Sequence, residues 1–251
     1  MLETQIVGQK RLVSEAVAIV QAINLGKNLN LLFYGRSGLG KTHFVTAMAN
    51  DIGLKNFILY IDPSNFKLNI NKRFQVIDEA HLLSEPELLY PYMDSGKYTF
   101  FFLSNYYGKL VEPLRNRCIN LQLQSYTREE LGKIIYRHVE ITEEASLYLA
   151  RFCKGSPRIG KQLAKRMSIL INRRIEKEDV NGLLHRLGIN VQGLDNNDRI
   201  YLDALHNTGG TASLNLLSNL TGLDKEHIAE IESYLIENKK IRITGRGRKL
   251  L

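Results

Sequence analysis

The octapeptide Gly35-Arg36-Ser37-Gly38-Leu39-Gly40-Lys41-Thr42 stands between an apolar run, "NLLFYG", and a helix-like stretch, "THFVTAMAND". Few short segments restrict a chain more. The Gly-x4-Gly-Lys-Thr spacing lets a backbone curl so that successive N–H groups point at one anion, and it works when a strand enters the loop and a helix leaves it. Both flanks are present here. Gly35, Gly38 and Gly40 supply the backbone freedom, and the helix start adds its partial positive charge. Lys41 is placed to reach the β- and γ-phosphates of a nucleoside triphosphate, and the Thr42 hydroxyl to ligate Mg2+. The pattern therefore predicts a nucleotide-binding α/β domain.

A second element supports it. "FQVIDE" is an apolar strand closed by two acids, Asp78 and Glu79. A carboxylate at a strand end beside a phosphate loop holds the Mg2+ shell, which fits Asp78, and its neighbour Glu79 is placed to polarise an attacking water. Asn105 closes another apolar strand, "FFFLSN", where a polar side chain is able to orient that water. In "EPLRNRC", Arg115 and Arg117 are either solvated or available to a neighbouring subunit's nucleotide. Residues 78–81 spell "DEAH", the name of a helicase class whose second motor domain lies in the same chain. With 251 residues, no room for such a domain is expected.

Strands and helices alternate through the first half. Val13, Val17, Val20 and Ile23 recur at helical spacing over residues 10–25, "FILYI" and "YTFFFLSN" read as further strands, and "LLYPYM" reads as a short helix interrupted by Pro91. Alternation of this kind predicts a parallel sheet. After "NLQLQ" the pattern turns helical. Thr127 and Glu130 form a capping box, and helical segments follow to about Gly188. In "RIGKQLAKRMSILINRR", Leu163, Met167 and Leu170 make an apolar stripe expected in the core, opposite Arg158, Lys161 and Lys165. "GINVQGLDNND" reads as a linker. Three short helices and the strand-turn-strand "KKIRITGRGRKLL" then describe a winged helix. The expected division is 1–124 for the nucleotide domain, 125–188 for a helical domain and 189–251 for the winged helix.

The net charge of +8 favours a polyanionic partner. Its distribution is uneven. The third helix of the winged domain, "DKEHIAEIESYLIEN", carries five acids and buries Ile228, Ile231 and Leu235, so it suits a phosphate-lined groove poorly. Arg242, Arg246, Arg248 and Lys249 lie in the hairpin instead, where they suit sequence-independent contacts to the DNA backbone. The two cysteines, Cys118 and Cys153, lack metal-ligand spacing. Neither an apolar leader core nor a long apolar run is present, so a protein free of membrane contact, in the cytoplasm, is expected.

In these residues the chain resembles the AAA+ ATPases, and within them the RuvB type. "IVGQK", "NLLFYGRSGLGKT", "VIDEAHLLS", "YPYMD", "EPLRNRC", "KGSPRIGKQLAKR", "GLDNNDRIYLDAL" and "IESYLIENKKIRITGRGR" follow the order of similar segments in that family. The resemblance implies an ATP- and Mg2+-dependent ATPase, a helical lid over the nucleotide, and a homo-oligomeric ring, expected to be a hexamer, that moves or remodels DNA. It implies Lys41 and Thr42 as Walker A, Asp78 and Glu79 as Walker B, Asn105 as sensor 1, and Arg117, before Arg115, as the finger acting on a neighbouring subunit. It implies Arg158 as sensor 2 and Ile6 and Val7 against the adenine. Three features depart from the RuvB pattern. Asparagine replaces threonine at sensor 1, "NRC" is similar to a clamp-loader motif, and only Ser95, Gly96 and Lys97 stand where a hairpin that docks RuvA is expected. The alternatives are therefore a clamp-loader or helicase-loader ATPase, and a protein-remodelling ATPase that does not act on DNA.

Overall fold

The computed structural model describes residues 2–54, 58–60 and 68–251. They belong to two compact units, Met1–Glu130 and Leu131–Leu251.

The first unit is built on parallel strands β1 (Asn30–Tyr34), β2 (Ile58–Tyr60), β3 (Phe74–Ile77), β4 (Thr99–Ser104) and β5 (Ile119–Gln122), in the order β2-β3-β4-β1-β5. The central strand β4 is buried along its whole length. Its side chains alternate between two cores, as a strand covered on both faces requires. Phe101 and Leu103 join the cluster of α1 (Leu2–Gln5), α2 (Lys10–Asn24) and α3 (Lys41–Asp51), which includes Val13, Val20, Ile23, Phe44 and Met48. Phe100 and Phe102 join Leu32, Ile77, Leu89, Met93 and Leu114 on the other face, beneath α4 (Tyr90–Asp94) and α5 (Glu112–Asn116). Phe57 and Ile61 of the expected strand "FILYI" lie outside the described residues.

One local expectation is corrected here. Pro91 does not interrupt a helix: a 3-10 turn, Pro86–Leu89, runs into α4, and Pro91 sits in the first turn of α4, where the missing N–H has no partner to lose. "INLQ", to which the sequence pattern assigned no element, is strand β5, on which only Leu121 is buried. An edge strand with one covered residue carries little periodicity to read.

Helix α6 (Arg128–Tyr136), entered through the Thr127–Glu130 capping box, spans the boundary, and α7 (Glu143–Ala150), α8 (Pro157–Leu170) and α9 (Lys177–Arg186) follow in the second unit. Leu163 and Met167 of α8 are buried, but Leu170 is 59% exposed, against expectation. It is the last helical residue, and the extended backbone of Ile171 ends the stripe before it meets the core.

The remaining elements are α10 (Asn196–Asn207), β6 (Thr211–Ala212), α11 (Leu214–Thr221), α12 (Lys225–Glu237), β7 (Ile241–Thr244) and β8 (Gly247–Leu250), with an antiparallel sheet β6-β8-β7. Tyr201, Leu205, Leu217, Ile228, Leu235 and Ile241 form its core. Part of the expected linker is helix: Asp195 caps α10, and Asp198 completes the capping box.

One polar cluster lies inside this small core. Glu232 of α12 accepts from Tyr201 Oη at 3.0 Å and from Arg248 Nε and Nη2 at 2.7 and 3.2 Å. The two charged side chains are only 5% and 18% exposed. Three hydrogen bonds offset the desolvation of the carboxylate, and burial together with Glu232 pushes the Tyr201 hydroxyl well above its ordinary pKa, keeping it a donor. The Arg248 guanidinium, expected on a DNA-facing hairpin, is thus paired with Glu232. Replacing Glu232→Met strands Arg248 and is expected to cost about 3–5 kcal/mol, while Glu232→Met with Arg248→Met should recover most of the loss. Urea denaturation of both variants, followed by far-UV circular dichroism, measures the difference.

Candidate nucleotide site

Strand order brings the first unit's chemistry together. β1 and β3 are the two neighbours of β4. All three run parallel, so the residues that follow them emerge at one edge of the sheet: Gly35 after β1, Asp78 after β3 and Asn105 after β4. Carboxyl edges of parallel strands are where α/β sheets gather ligands.

The phosphate loop is wrapped from this edge. Gly35 has φ of +150° and donates its N–H to Ser104 O at 3.3 Å. A Cβ here would lie 2.7 Å from Leu123 O, so only glycine allows the loop this close to the chain beyond β5. Gly40 caps α3 with φ of +91°, leaving the first amides of the helix facing the loop. Lys41 is 6% exposed. Its ammonium donates to Gly35 O at 2.9 Å, to Arg36 O at 3.0 Å, and to Asn105 Oδ1. The buried cation is thus held by three oxygens inside the curl, at the place a phosphate would need it.

The acids are arranged around it. Thr42 Oγ1 donates to Asp78 Oδ2 at 3.0 Å, so a hydroxyl and a carboxylate oxygen meet as a hard cation of the Mg2+ class requires. Glu79 has a left-handed backbone, φ +48°, and its N–H donates to Asp78 Oδ1 at 2.9 Å. The Glu79 carboxylate accepts from Asn105 Nδ2 at 2.7 and 3.0 Å. One amide therefore touches both Lys41 and Glu79. His81, whose role sequence reasoning missed, lies 3.4 Å from Glu79 Oε2 through Nδ1 and 3.3 Å from Ser104 Oγ, with its side chain 4% exposed.

The N-terminal segment is pinned beside the loop. Ile6 is buried and Val7 half-buried. Gln9 donates to Gln124 O at 2.6 Å and accepts from Gln124 N at 3.0 Å. A cleft of about 500 Å3, lined in part by Gln9, Tyr34, Gln124, Ser125 and Thr127, opens there. Gln9 was also missed; its place in "IVGQK" was the available signal.

The comparisons with known proteins match this geometry. Residues 1–83 match the model of the bacterial DnaA ATPase domain, and residues 191–250 that of the RuvB C-terminal winged helix domain. The Holliday junction branch migration complex subunit RuvB of Rippkaea orientalis is 30% identical, covering 96% of this chain and 80% of its own length. The subunit from Campylobacter fetus is 30% identical over 97% of this chain and 84% of its own length. The chain belongs to the RuvB family. The Thermotoga maritima RuvB Holliday junction branch migration motor superposes with a TM-score of 0.88 at 27% identity, covering 98% of this chain and 92% of that one. This RuvB-family chain is accordingly an AAA+ ATPase that binds nucleotide, with a winged helix.

Arg115 and Arg117, in the first unit, make other contacts. Arg117 Nε donates to Asp94 Oδ1 and Oδ2 at 3.1 and 3.2 Å, Nη1 donates to Pro113 O, and the guanidinium covers the Tyr90 ring at 4.3 Å. Arg115 covers Tyr107 at 4.9 Å, and its Nε is buried without a hydrogen-bond partner. Arg158 belongs to the second unit, at the second position of α8. The geometry separates two variants. Lys41→Ala is expected to abolish nucleotide binding, whereas Glu79→Gln should keep binding and lose turnover by at least about a hundredfold. Fluorescent-nucleotide titration and phosphate release distinguish them, and normal turnover by Glu79→Gln refutes its role.

Proposed function

We propose that this chain assembles into a ring, of six subunits in the RuvB pattern, that binds Mg·ATP between subunits and uses hydrolysis to move or remodel DNA, as a branch-migration motor does. The observation that carries the reading is the convergence of Lys41, Thr42, Asp78, Glu79 and Asn105 at one sheet edge, in a chain similar along its length to proteins named as branch-migration subunits. The site residues fit Mg·ATP. Lys41 and the loop amides hold the β- and γ-phosphates; Thr42 and Asp78 would hold Mg2+, which when bound neutralises developing phosphate charge. Glu79 orients the water that attacks the γ-phosphorus as the bond to ADP breaks, and Asn105 positions both. Ile6 and Val7 line the adenine side.

In this reading residues 1–124 are the nucleotide domain, 125–188 the lid carrying sensor Arg158, and 189–251 the DNA-facing winged helix. Arg117 completes the site of a neighbouring subunit. Its Asp94 partner is 56% exposed and its own side chain 33%, so exchange for a phosphate at an interface is inexpensive. Arg117→Ala should retain ATP binding and lose about 10³-fold or more in hydrolysis. Mixed with Lys41→Ala protein it should regain activity, since some interfaces then pair an intact loop with an intact finger. Demonstrated mixed rings with no regain exclude action in trans.

DNA contact falls to Arg242, Arg246 and Lys249, which are exposed on the hairpin, with Arg248 withdrawn. Neutralising the three should weaken binding about equally across sequences. Each lost phosphate contact should lower the salt slope, d log K/d log[salt], by about 0.9 on duplex DNA. Affinity over a salt series decides this: an unchanged slope removes the hairpin from the DNA surface, and loss confined to one sequence indicates base reading. A loader role is favoured by Asn105, by "NRC" and by the short four-residue connection Ser95–Tyr98 between α4 and β4. That connection leaves no hairpin for docking of the RuvA kind. Branch-migration assays against ring-loading assays separate the two.

A further inference from the structure

The turn between α7 and α8 carries a half-buried lysine that the nucleotide chemistry does not use. Lys154 has a left-handed backbone, φ +49°, and is followed by Gly155 at φ +70°. The paired left-handed residues fold the chain tightly into Ser156, whose N–H donates to Cys153 O at 2.8 Å, and then into α8 with Arg158 in its first turn. The Lys154 side chain, 15% exposed, runs the other way, toward the winged helix. Its ammonium donates to Asp195 Oδ2 at 2.9 Å and to Asp198 Oδ2, and it lies over the Tyr234 ring of α12 at 5.6 Å.

Those carboxylates are the capping box of α10, the first helix of the winged domain. Asp195 accepts from the N–H groups of Asn197 and Asp198, and Asp198 from the N–H of Asp195. Asp198 is fully buried and its Oδ1 has no hydrogen-bond partner. A carboxylate in that position depends on Lys154 for compensation, because an isolated buried charge is not sustained. The covalent path between α9 and α10 is the loop Leu187–Asp195, with Gly188 and Gly193 at φ of +64° and +79°. Such a loop resists rotation weakly. Lys154 and its neighbours supply the fixed connection: Gly193 lies against the backbone of Arg151 and Phe152.

We propose that Lys154 is a coupling residue: its ion pair with Asp195 and Asp198 makes the turn bearing Arg158 and the winged helix move as one piece, so that nucleotide-dependent displacement of the helical lid is delivered to DNA. The inference rests on the reading of Arg158 as a phosphate sensor and of the hairpin as a DNA surface. Lys154 positions; it touches neither ligand.

The test uses the full chain with spin labels at Ser168→Cys on α8 and Asn219→Cys on α11, both exposed. Burial pushes the native Cys118 and Cys153 thiols up to about 12, so they label slowly at neutral pH. In wild type, the label-to-label distance distribution should be single and narrow. Lys154→Met should broaden it, and Lys154→Arg should restore it. ATPase activity without DNA and affinity for duplex DNA should stay within about twofold, while DNA stimulation of ATPase should fall about tenfold, a typical coupling magnitude. Asp195→Asn, at a half-exposed carboxylate, gives a milder form should Lys154→Met fold poorly. A narrow distribution in both variants overturns the proposal, as does full DNA stimulation in a variant whose distribution has broadened. If wild type shows no DNA stimulation, the functional reading fails, and the distance measurement alone decides whether Lys154 fixes the winged helix to the lid.

Discussion

The pairing of β4 between β1 and β3 is the constraint on which the site depends. Parallel pairing sets Tyr34 opposite Ser104 and Ile77 opposite Phe102, and the functional residues are those that immediately follow. A slip of one residue would invert the faces of β4 and carry Phe100 and Phe102 into the wrong core. The aromatic packing that fixes the register therefore also fixes where Asn105 stands relative to Lys41 and Glu79. Phe100 and Phe102 stack 5.6 Å apart on one face, and Phe33 and Phe101 6.5 Å apart on the other. Hydrophobic burial does the aligning, and the polar site inherits its precision from it.

What was legible in the sequence followed the range of the interaction. The phosphate loop, the Thr127–Glu130 box and the buried face of α12 are local devices, set by backbone freedom, capping and period, and each was readable from neighbouring letters. Asp78, Glu79 and Asn105 were readable as strand-end polar residues; their meeting required the strand order. The misses come from long-range pairing. Arg248 looked like one more hairpin cation until Glu232, sixteen residues earlier, placed it indoors. Lys154 and Asp198 lie forty-four positions apart, and nothing in "CKGSP" or "GLDNND" alone shows that they meet. Edge strand β5 went unread and the end of α8 was misread for a different reason: periodicity is weak where only part of an element is covered.

The winged helix illustrates how a small module with as many acids as bases separates its charges by task. Of the two acids closest to its structure, Glu232 neutralises Arg248 and Asp198 faces Lys154. In both pairs the acid is buried and the base half-buried, and both tie one secondary element to another. Exposed Arg242, Arg246 and Lys249 have no such partner in the ion pairs of the described residues. A buried pair is screened little by salt, whereas exposed cations are screened strongly. Raising ionic strength should accordingly loosen contact with a polyanion long before it loosens the module itself, which is what makes a salt series a clean probe of the hairpin.

The arrangement around Asn105 follows from how many donors and acceptors one side chain offers. A carboxamide presents an acceptor oxygen and a two-proton donor at opposite corners, so it is able to bridge an ammonium and a carboxylate at once. A hydroxyl, with a single proton, has no second donor for the other oxygen of Glu79. Here Oδ1 faces Lys41 and Nδ2 faces both oxygens of Glu79. A γ-phosphate that pairs with Lys41 competes directly with Asn105 Oδ1, and any shift of the amide alters the carboxylate it holds. His81 Nδ1 lies 3.4 Å from one oxygen of the same carboxylate. The Glu79 carboxylate is thus held by hydrogen bonds in series with the Lys41 ammonium, through one side chain.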